Sequence, residues 1–388
     1  MPPGPLSAAA TAARRAAREN YWATKTLARA RVLSIQSHVV HGYVGNKSAV
    51  FPLQLLGVEV DPVNSVQFCN HTGYAAGVRG DVLQGDQLRA LVDGLGANGL
   101  LAGYTHLLTG YIGSPSFLRA VVDALVAMRA ANAPEAVAYF CDPVLGDGGK
   151  LYVPEALVDI YRDEVVPLAT VRPPPRARAL RTGRATAHGS RPFLQVLTPN
   201  QFELELLSGR AVASEADAAA ACAALHARGP RVVVVTSLDL AADHPNHVAM
   251  LASAVDDGGG EGGGAGAGAV AVRQWRLLLP KVEAMHFTGT GDLMAALLLA
   301  WTHRHPGADG VAIAMEKAGA TMQAVLKRTV ERSRERGGGA GAGAVGGGEG
   351  GGGGGGDPAA RRELALLDAK REIEEPKVEV RAVALAYL

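Results

Sequence analysis

The residues best suited to chemistry form one short run, Thr288-Gly289-Thr290-Gly291-Asp292, directly before an apolar segment that predicts a helix over 291–301. Two glycines ahead of a helix let backbone N–H groups approach an anion closely, and the helix N-terminus adds positive partial charge. A carboxylate in that first turn, Asp292, can accept the proton of a hydroxyl that attacks a phosphoryl group. A plain structural role is the alternative, since Asp is a favoured cap residue and Gly a common turn residue.

The elements around this run alternate between short apolar strands and helical patterns. Continuous β-branched runs such as Val232–Val235 indicate strands buried on both faces, and strands separated by helices indicate βαβ units. We therefore predict an α/β fold with a mostly parallel central sheet and helices on both faces. Strands are predicted at 32–35, 106–109, 137–141, 194–198 and 231–236, and helices at 47–56, 115–131, 154–163, 199–208, 214–227, 291–301 and 311–330.

The later part of the chain has a different texture. Residues 247–253 and 272–279 flank a Gly-rich tract and predict a hairpin with an enlarged loop. A second Gly-rich tract, a predicted flexible spacer, precedes a helical stretch at 361–374 and a final strand at 376–386.

Composition excludes several classes of protein. The 388 residues carry a formal net charge of +1, which leaves no basic excess for binding nucleic acid through bulk charge. The 48% hydrophobic content can build a large core, and the longest apolar run is far shorter than a membrane span. The three cysteines are far apart, without metal-ligand or disulfide spacing, which favours a reducing compartment and small buried side chains.

One extension and three inserts interrupt this pattern. Residues 1–30 are rich in Ala and basic residues, which is typical of an organellar transit peptide or of a disordered extension. We expect a cytoplasmic protein, with a plastid or mitochondrion as the alternative. The inserts lie at about 171–192, 256–269 and 337–357. The first holds six Arg and no acid, and predicts a disordered surface loop or, alternatively, a basic docking segment.

The stretch Phe287-Thr288-Gly289-Thr290-Gly291-Asp292-Leu293 resembles the signature of the ribokinase-like kinases, and further motifs narrow the resemblance to the pyridoxal kinase family. Examples are Asp-Pro-Val-Leu-Gly-Asp at 142–147 and Thr-Pro-Asn-Gln-Phe-Glu at 198–203. Other similar stretches are 31–47, 63–74, 108–111, 235–237 and 371–376. The resemblance covers roughly 31–168, 194–335 and 361–388.

The resemblance implies a substrate site. Ser37 would hydrogen-bond the pyridine ring, Thr72 would contact the substrate, and Tyr111 would stack on the ring. Gly289, Thr290, Gly291 and Asp292 complete this set, with Asp292 as the catalytic base. A turn serine, a packed His71 beside Thr72 and a tyrosine at the rim of the core are the structural alternatives.

The resemblance also implies a nucleotide site and two metal ions. ATP-binding residues would be Asp142, Tyr152, Asn200, Glu203, Thr236, Ser237, Val282, Glu283, Ala284 and Thr290. Asp142 and Asp147 lie in the loop that follows a predicted strand, where two carboxylates suit Mg²⁺ bound with ATP. Thr198, Glu203 and Thr236 would join these metal ligands, around the phosphates and a monovalent cation, usually K⁺. A solvated loop at 142–147 and a strand-end turn at 236–237 are the alternatives.

The implied reaction transfers the γ-phosphate of ATP to the 5′-hydroxymethyl group of pyridoxal, pyridoxine or pyridoxamine. The implied partners are ATP, B6 vitamers and a second copy in a homodimer, with no nucleic acid and no membrane. Two other functions stay open: another ribokinase-like kinase, such as one acting on a hydroxymethylpyrimidine, and a non-catalytic carrier of pyridoxal phosphate. Asp292, Asp142 and Asp147 together argue against the carrier.

Overall fold

The computed structural model describes residues 30–132, 137–169, 194–240, 243–256, 271–282, 287–338 and 357–386. The strands are β1 (Arg31–Val39), β2 (Glu59–Phe68), β3 (Gly80–Val82), β4 (His106–Thr109), β5 (Ala138–Cys141), β6 (Gly146–Asp147), β7 (Lys150–Leu151), β8 (Gln195–Leu197), β9 (Val232–Leu238), β10 (His247–Asp256), β11 (Ala271–Pro280) and β12 (Val383–Leu385). The α-helices are α1 (Asn46–Leu55), α2 (Gly85–Ala97), α3 (Pro115–Ala131), α4 (Ala156–Ile160), α5 (Gln201–Ser208), α6 (Glu215–His226), α7 (Thr290–Arg304), α8 (Ala308–Gly338) and α9 (Lys370–Glu374).

Ten of the described strands form one sheet in the order β12-β11-β10-β9-β8-β5-β4-β1-β2-β3. The neighbours from β9 to β2 pair in parallel, and β10, β11, β12 and β3 pair antiparallel at the two edges. This mixed, mostly parallel sheet confirms the predicted fold class. Parallel pairing needs crossover helices, which explains the alternation of strand and helix in the sequence.

Helices cover both faces of the sheet, as predicted. In β9, Val233 and Val235 pack into the core beneath α2 to α6, whereas Val232 and Val234 pack beneath α1, α7, α8 and α9. Successive side chains of a strand point to opposite faces, so an unbroken run of valines feeds two cores at once.

The structure corrects some predicted elements. The hairpin of β10 and β11 is confirmed, but β2, β3 and α2 were not predicted. The stretch predicted as one helix at 361–374 is a 3₁₀ helix, Pro358–Arg362, and the short α9. The final strand is three residues long, Val383–Leu385, instead of 376–386. Residues 1–29 and most of the three predicted inserts lie outside the described residues.

Strand order brings the predicted site residues to one edge. Ser37, Asp142, Thr198 and Thr236 lie at or just beyond the carboxyl ends of β1, β5, β8 and β9, and Tyr111 follows β4. Ligands bind at this edge of open α/β sheets because the connecting loops converge there. Among the described helices, none is long and apolar enough to cross a membrane.

Asn46 ties the first two parallel strands to the helix between them. Its Oδ1 accepts a hydrogen bond from Ser34 Oγ at 2.8 Å, and its Nδ2 donates to Val63 O at 2.9 Å and Asn64 Oδ1 at 2.8 Å. The Asn46 side chain is 2% exposed, so water can replace its lost partners only in part.

Asn46→Ala removes the buried hydrogen bonds with Ser34 and Gln36 and the partly buried ones with Val63 and Asn64 at once. We expect a loss of about 2–4 kcal/mol in the free energy of unfolding, since unpaired buried polar groups cost about 1–3 kcal/mol each and water partly compensates. Urea denaturation measures the loss. Gln54→Ala, on the exposed side of the same helix, is the control and should change stability by less than about 0.5 kcal/mol. Equal effects of the two substitutions would contradict the prediction.

Candidate active site

A pocket of about 540 Å³ opens at the carboxyl edge of the sheet. Every residue of the predicted substrate site lines it: Ser37, Thr72, Tyr111, Gly289, Thr290, Gly291 and Asp292. The same pocket is lined by Asp142, Asp147, Tyr152, Asn200, Glu203, Thr236 and Ser237 from the predicted nucleotide and metal sites. Residues from widely separated parts of the sequence therefore meet in one cavity.

Among the predicted residues that the structure describes, two are not part of the pocket lining. Thr198 is 2% exposed and lies behind the wall, where its hydrogen bond helps to lower the pKa of Asp142. Val282 is half-buried and is not among the residues that line the pocket. Glu283 and Ala284 lie outside the described residues.

The apolar part of the wall was not predicted. Val66 and Phe68 come from the end of β2, and Val39, Val44, Val144 and Phe287 come from neighbouring segments. His71, for which packing was the alternative, also lines the pocket, as do Gly73 and Thr288. An alternating pattern in residues 59–68 was the signal for β2, but Pro62, Asn64 and Ser65 interrupt it.

Gly289 shapes the entrance to α7. Its φ of 84° lies in the left-handed region, and a Cβ there would lie 2.3 Å from Tyr43 O. Only glycine fits both the conformation and the space. The loop that contains Tyr43 can therefore pack directly against the N-terminus of the helix, where unpaired backbone N–H groups face the pocket.

Asp292 lies in the first turn of α7 and is 9% exposed. Its Oδ2 accepts a hydrogen bond from Gly45 N at 2.7 Å. Its Oδ1 faces Gly110, where a Cβ would lie only 3.2 Å away. Burial raises the pKa of Asp292, and the Gly45 hydrogen bond lowers it by less. A raised pKa makes the carboxylate a stronger base, which suits proton transfer near neutral pH.

Glu203 organises the opposite wall. Its carboxylate accepts hydrogen bonds from Leu145 N at 2.9 Å and Gly146 N at 3.4 Å through Oε1, and from Asn200 N at 2.9 Å through Oε2. Asn200 returns the contact by accepting from Glu203 N, which forms a capping box at the start of α5. Burial raises the pKa of Glu203 against these hydrogen bonds.

Asp142 contributes a buried carboxyl group to the site. It is 4% exposed, and its buried Oδ2 has no hydrogen-bond partner among the described residues. Burial raises the pKa of Asp142 well above its usual range, and the nearby carboxylates of Glu203 and Asp292 raise it further. A Cβ at Gly291 would lie 3.2 Å from Asp142 Oδ2, so this oxygen faces the start of α7.

These features fit a divalent cation that arrives with phosphates. In the described part of the chain, no three His, Cys, Asp or Glu side chains gather into a ready metal cage. Mg²⁺ usually takes one or two carboxylates, substrate phosphates and water, so such a cage is not needed. The orphaned Asp142 oxygen beside two further carboxylates is the kind of donor set that a cation stabilises.

Gly289→Ala should damage the site more than the fold. The substitution forces the Tyr43 loop away from α7, and a misplacement of about 1 Å can reduce turnover roughly 100-fold. Kinase assays with saturating substrates measure the loss. Gly57→Ala is the control, because Gly57 has a similar φ of 76° but nothing within 4 Å of its Cβ position. A similar fall in kcat for both variants would contradict the prediction.

Comparisons with known proteins point to the same function as the residues of the pocket. No protein-family model matches the chain. The chain is 44% identical over 353 residues to the pyridoxal kinase of Arabidopsis thaliana, covering 91% of this chain and 94% of the relative. It is 41% identical over 359 residues to the pyridoxal kinase of Homo sapiens, covering 92% and 98% of the two chains.

Two solved structures of pyridoxal kinases also resemble this chain. Pyridoxal kinase from Leishmania donovani in complex with ADP and pyridoxamine superposes with a TM-score of 0.70 and 32% identity, covering 92% of this chain and 99% of that chain. Pyridoxal kinase from Trypanosoma brucei gives a TM-score of 0.67 at 30% identity, covering 92% and 100%.

Proposed function

The chain belongs to the pyridoxal kinase family, and we propose that its pocket transfers the γ-phosphate of ATP to the 5′-hydroxymethyl group of pyridoxal, pyridoxine or pyridoxamine. The observation that carries the proposal is the buried Asp292 carboxylate in the first turn of α7, oriented by Gly45 N–H. The structural relative from Leishmania donovani, solved with ADP and either pyridoxamine or pyridoxine, supports this choice of substrates.

Asp292 is the general base of the proposed reaction. The vitamer hydroxyl gives its proton to the carboxylate while its oxygen forms the new bond to the γ-phosphorus. The bond between the γ-phosphorus and the bridging oxygen of ADP breaks, and ADP leaves with that electron pair. Held by Gly45 at Oδ2, the carboxylate does not need to reorient before it accepts the proton.

Backbone N–H groups at Gly289–Asp292 stabilise the transferring phosphoryl group. They lie at the free N-terminus of α7, where the helix dipole adds positive partial charge. Fixed donors aimed at developing negative charge contribute roughly 3–4 kcal/mol per donor in comparable sites.

The vitamer ring occupies the apolar side of the pocket. Ser37 offers a hydroxyl to the ring, Thr72 contacts the substrate and Tyr111 stacks on it. Ser65 Oγ donates to Tyr111 O at 2.7 Å, which fixes the backbone of the stacking residue.

Two cations complete the proposal. Asp142 and Asp147, with Glu203 close by, would hold Mg²⁺, which neutralises charge on the phosphates when it is bound. Oxygen atoms of Thr198, Thr236 and Glu203 would hold K⁺ or another monovalent cation. The support is the set of hard oxygen donors that lie at or beyond the carboxyl ends of β5, β8 and β9.

We also infer a homodimer from the family resemblance, and a cytoplasmic protein from the three widely spaced cysteines, which favour a reducing compartment. The basic extension 1–30 makes a plastid or mitochondrion the alternative compartment. Sedimentation of the purified protein tests the first inference, and the position of a fluorescent protein fused to residues 1–30 tests the second.

Asp292→Asn tests the catalytic assignment. The amide keeps an oxygen for Gly45 N–H but cannot accept the hydroxyl proton, so kcat should fall about 10²- to 10⁴-fold. The dissociation constant for pyridoxal, measured by calorimetry, should change less than about threefold. Asp86→Asn, in the exposed first turn of α2, is the matched control and should retain full activity.

Three results would contradict the proposal. Wild-type protein that leaves every B6 vitamer unmodified in the presence of ATP, Mg²⁺ and K⁺ would exclude the kinase. Faster turnover of a hydroxymethylpyrimidine than of pyridoxal would favour the other ribokinase-like function. A carrier of pyridoxal phosphate would keep its function after Asp292→Asn.

Asp142→Asn should weaken the use of Mg²⁺ and ATP. Replacing this carboxylate is expected to raise the Mg²⁺ concentration for half-maximal activity at least about tenfold, with the KM for pyridoxal nearly unchanged. Titration of activity with Mg²⁺, after removal of metal by EDTA, measures the effect. An unchanged Mg²⁺ requirement would remove Asp142 from the proposed metal ligands.

A further inference from the structure

A glutamate from the C-terminal segment is inserted behind the substrate side of the pocket. Glu363 is 5% exposed, although it belongs to a stretch without regular helix or strand. Its Oε2 accepts a hydrogen bond from Tyr43 N at 2.7 Å. Its Oε1 accepts from Tyr74 OH at 2.9 Å and lies 3.3 Å from His71 Nε2.

These partners belong to two loops that are far apart in sequence. Tyr43 lies in the loop between β1 and α1, and His71 and Tyr74 lie in the loop between β2 and β3. Glu363 is therefore a bridge between them, and it is itself 320 residues away from Tyr43 along the chain. A Cβ at Gly42 would lie 2.1 Å from Glu363 Oε1, so the first loop is shaped around the carboxylate.

Both loops supply the pocket. The first contains Val44, which lines the cavity, and Gly45, whose N–H holds Asp292. The second contains His71, Thr72 and Gly73, all of which line the cavity. Glu363 is therefore not among the residues that line the pocket, but it contacts His71, which is.

The hydrogen bonds of His71 show what this contact does. Gly73 N donates to His71 Nδ1 at 3.0 Å, so the ring proton is on Nε2, which faces Glu363. Both ring nitrogens are occupied, and His71 holds the backbone of Gly73 on one side and the carboxylate on the other. In this arrangement His71 connects the Gly73 backbone to Glu363 beside Thr72, and its ring is not available as a base.

The backbone around Glu363 is anchored firmly enough to hold the loops. Arg332 of α8 donates to Glu363 O, and Ala365 N donates to Thr329 Oγ1 at 3.0 Å. Leu364 and Leu366 are fully buried on the face covered by α7 and α8. Asp357 Oδ2 accepts from Ala75 N at 2.7 Å, which is a second contact between this segment and the β2–β3 loop.

We propose that Glu363 is a positioning residue for vitamer binding: it joins the two loops that form the substrate side of the pocket and thereby sets the position of Thr72. This role rests on the proposed function, because the ligand it affects is the B6 vitamer. The nucleotide side has contacts of its own on the opposite wall, where Leu145, Gly146 and Asn200 hold Glu203.

Glu363→Gln is the direct test. The amide places an NH₂ group against Tyr43 N–H or against His71 Nε2–H, so one donor always meets another donor. We expect the KM and the dissociation constant for pyridoxal to rise about tenfold, and the KM for ATP to change less than about twofold. Calorimetric titration with pyridoxal gives a reading that does not require turnover.

Glu316→Gln is the matched control. Glu316 is a similarly buried carboxylate that also anchors the C-terminal part of the chain, through Ala382 N at 2.7 Å and Arg381 Nη1 at 3.0 Å, but it is not among the described residues that line the pocket. This variant should lose thermal stability without a change in either KM. Tyr74→Phe removes only one donor to Glu363 and keeps the aromatic ring, so we expect it to fold and to raise the pyridoxal KM about threefold.

The outcomes separate this inference from the proposed function. Equal rises in KM for pyridoxal and ATP, or a lower melting temperature with both constants unchanged, would make Glu363 merely structural. If Glu363→Gln does not fold, an unchanged pyridoxal KM in Tyr74→Phe overturns the inference. If wild-type protein binds pyridoxal without phosphorylating it, the kinase fails, while a tenfold weaker affinity in Glu363→Gln still supports the positioning role.

Discussion

The contact between the loop at residues 42–45 and the start of α7 holds the reactive centre together. Gly289 has no side chain, which lets Tyr43 O approach the helix N-terminus, and Gly45 N–H then reaches Asp292 Oδ2. One loop thus orients Asp292, the proposed base, beside the start of α7, where we propose that the phosphate binds. Any residue larger than glycine at 289 would separate the two parts.

Three buried carboxyl groups determine the electrostatics of the rest of the site. Asp142, Glu203 and Asp292 are all at most 9% exposed, and burial raises the pKa of each. Glu203 meets this cost with three backbone N–H groups, and Asp292 with one. Asp142 Oδ2 has no such partner in the described chain. The three carboxyl groups therefore differ: backbone hydrogen bonds hold Glu203 and Asp292, whereas Asp142 Oδ2 is available to the proposed cation.

Much of this arrangement could be predicted from the sequence, and the exceptions have physical causes. Valine runs and the Gly-Thr-Gly-Asp turn carry local signals, because they reflect burial and backbone geometry. β2 was missed because Pro62, Asn64 and Ser65 hide its alternation, and Val66 and Phe68 were missed with it. Thr198 carries a strand-end signal but faces the interior. Glu363 had no local signal, since its partners are fixed only by tertiary packing.

The bridge from Glu363 to Tyr43 has a consequence for biosynthesis. The N-terminal strand and its loop leave the ribosome more than 300 residues before the carboxylate that completes their environment. Until then the β1–α1 and β2–β3 loops lack a common anchor, and contacts of such long sequence separation form late because loop closure is costly. A nascent chain can therefore pair its parallel strands, from β9 to β2, before the two loops of the vitamer pocket gain their common anchor.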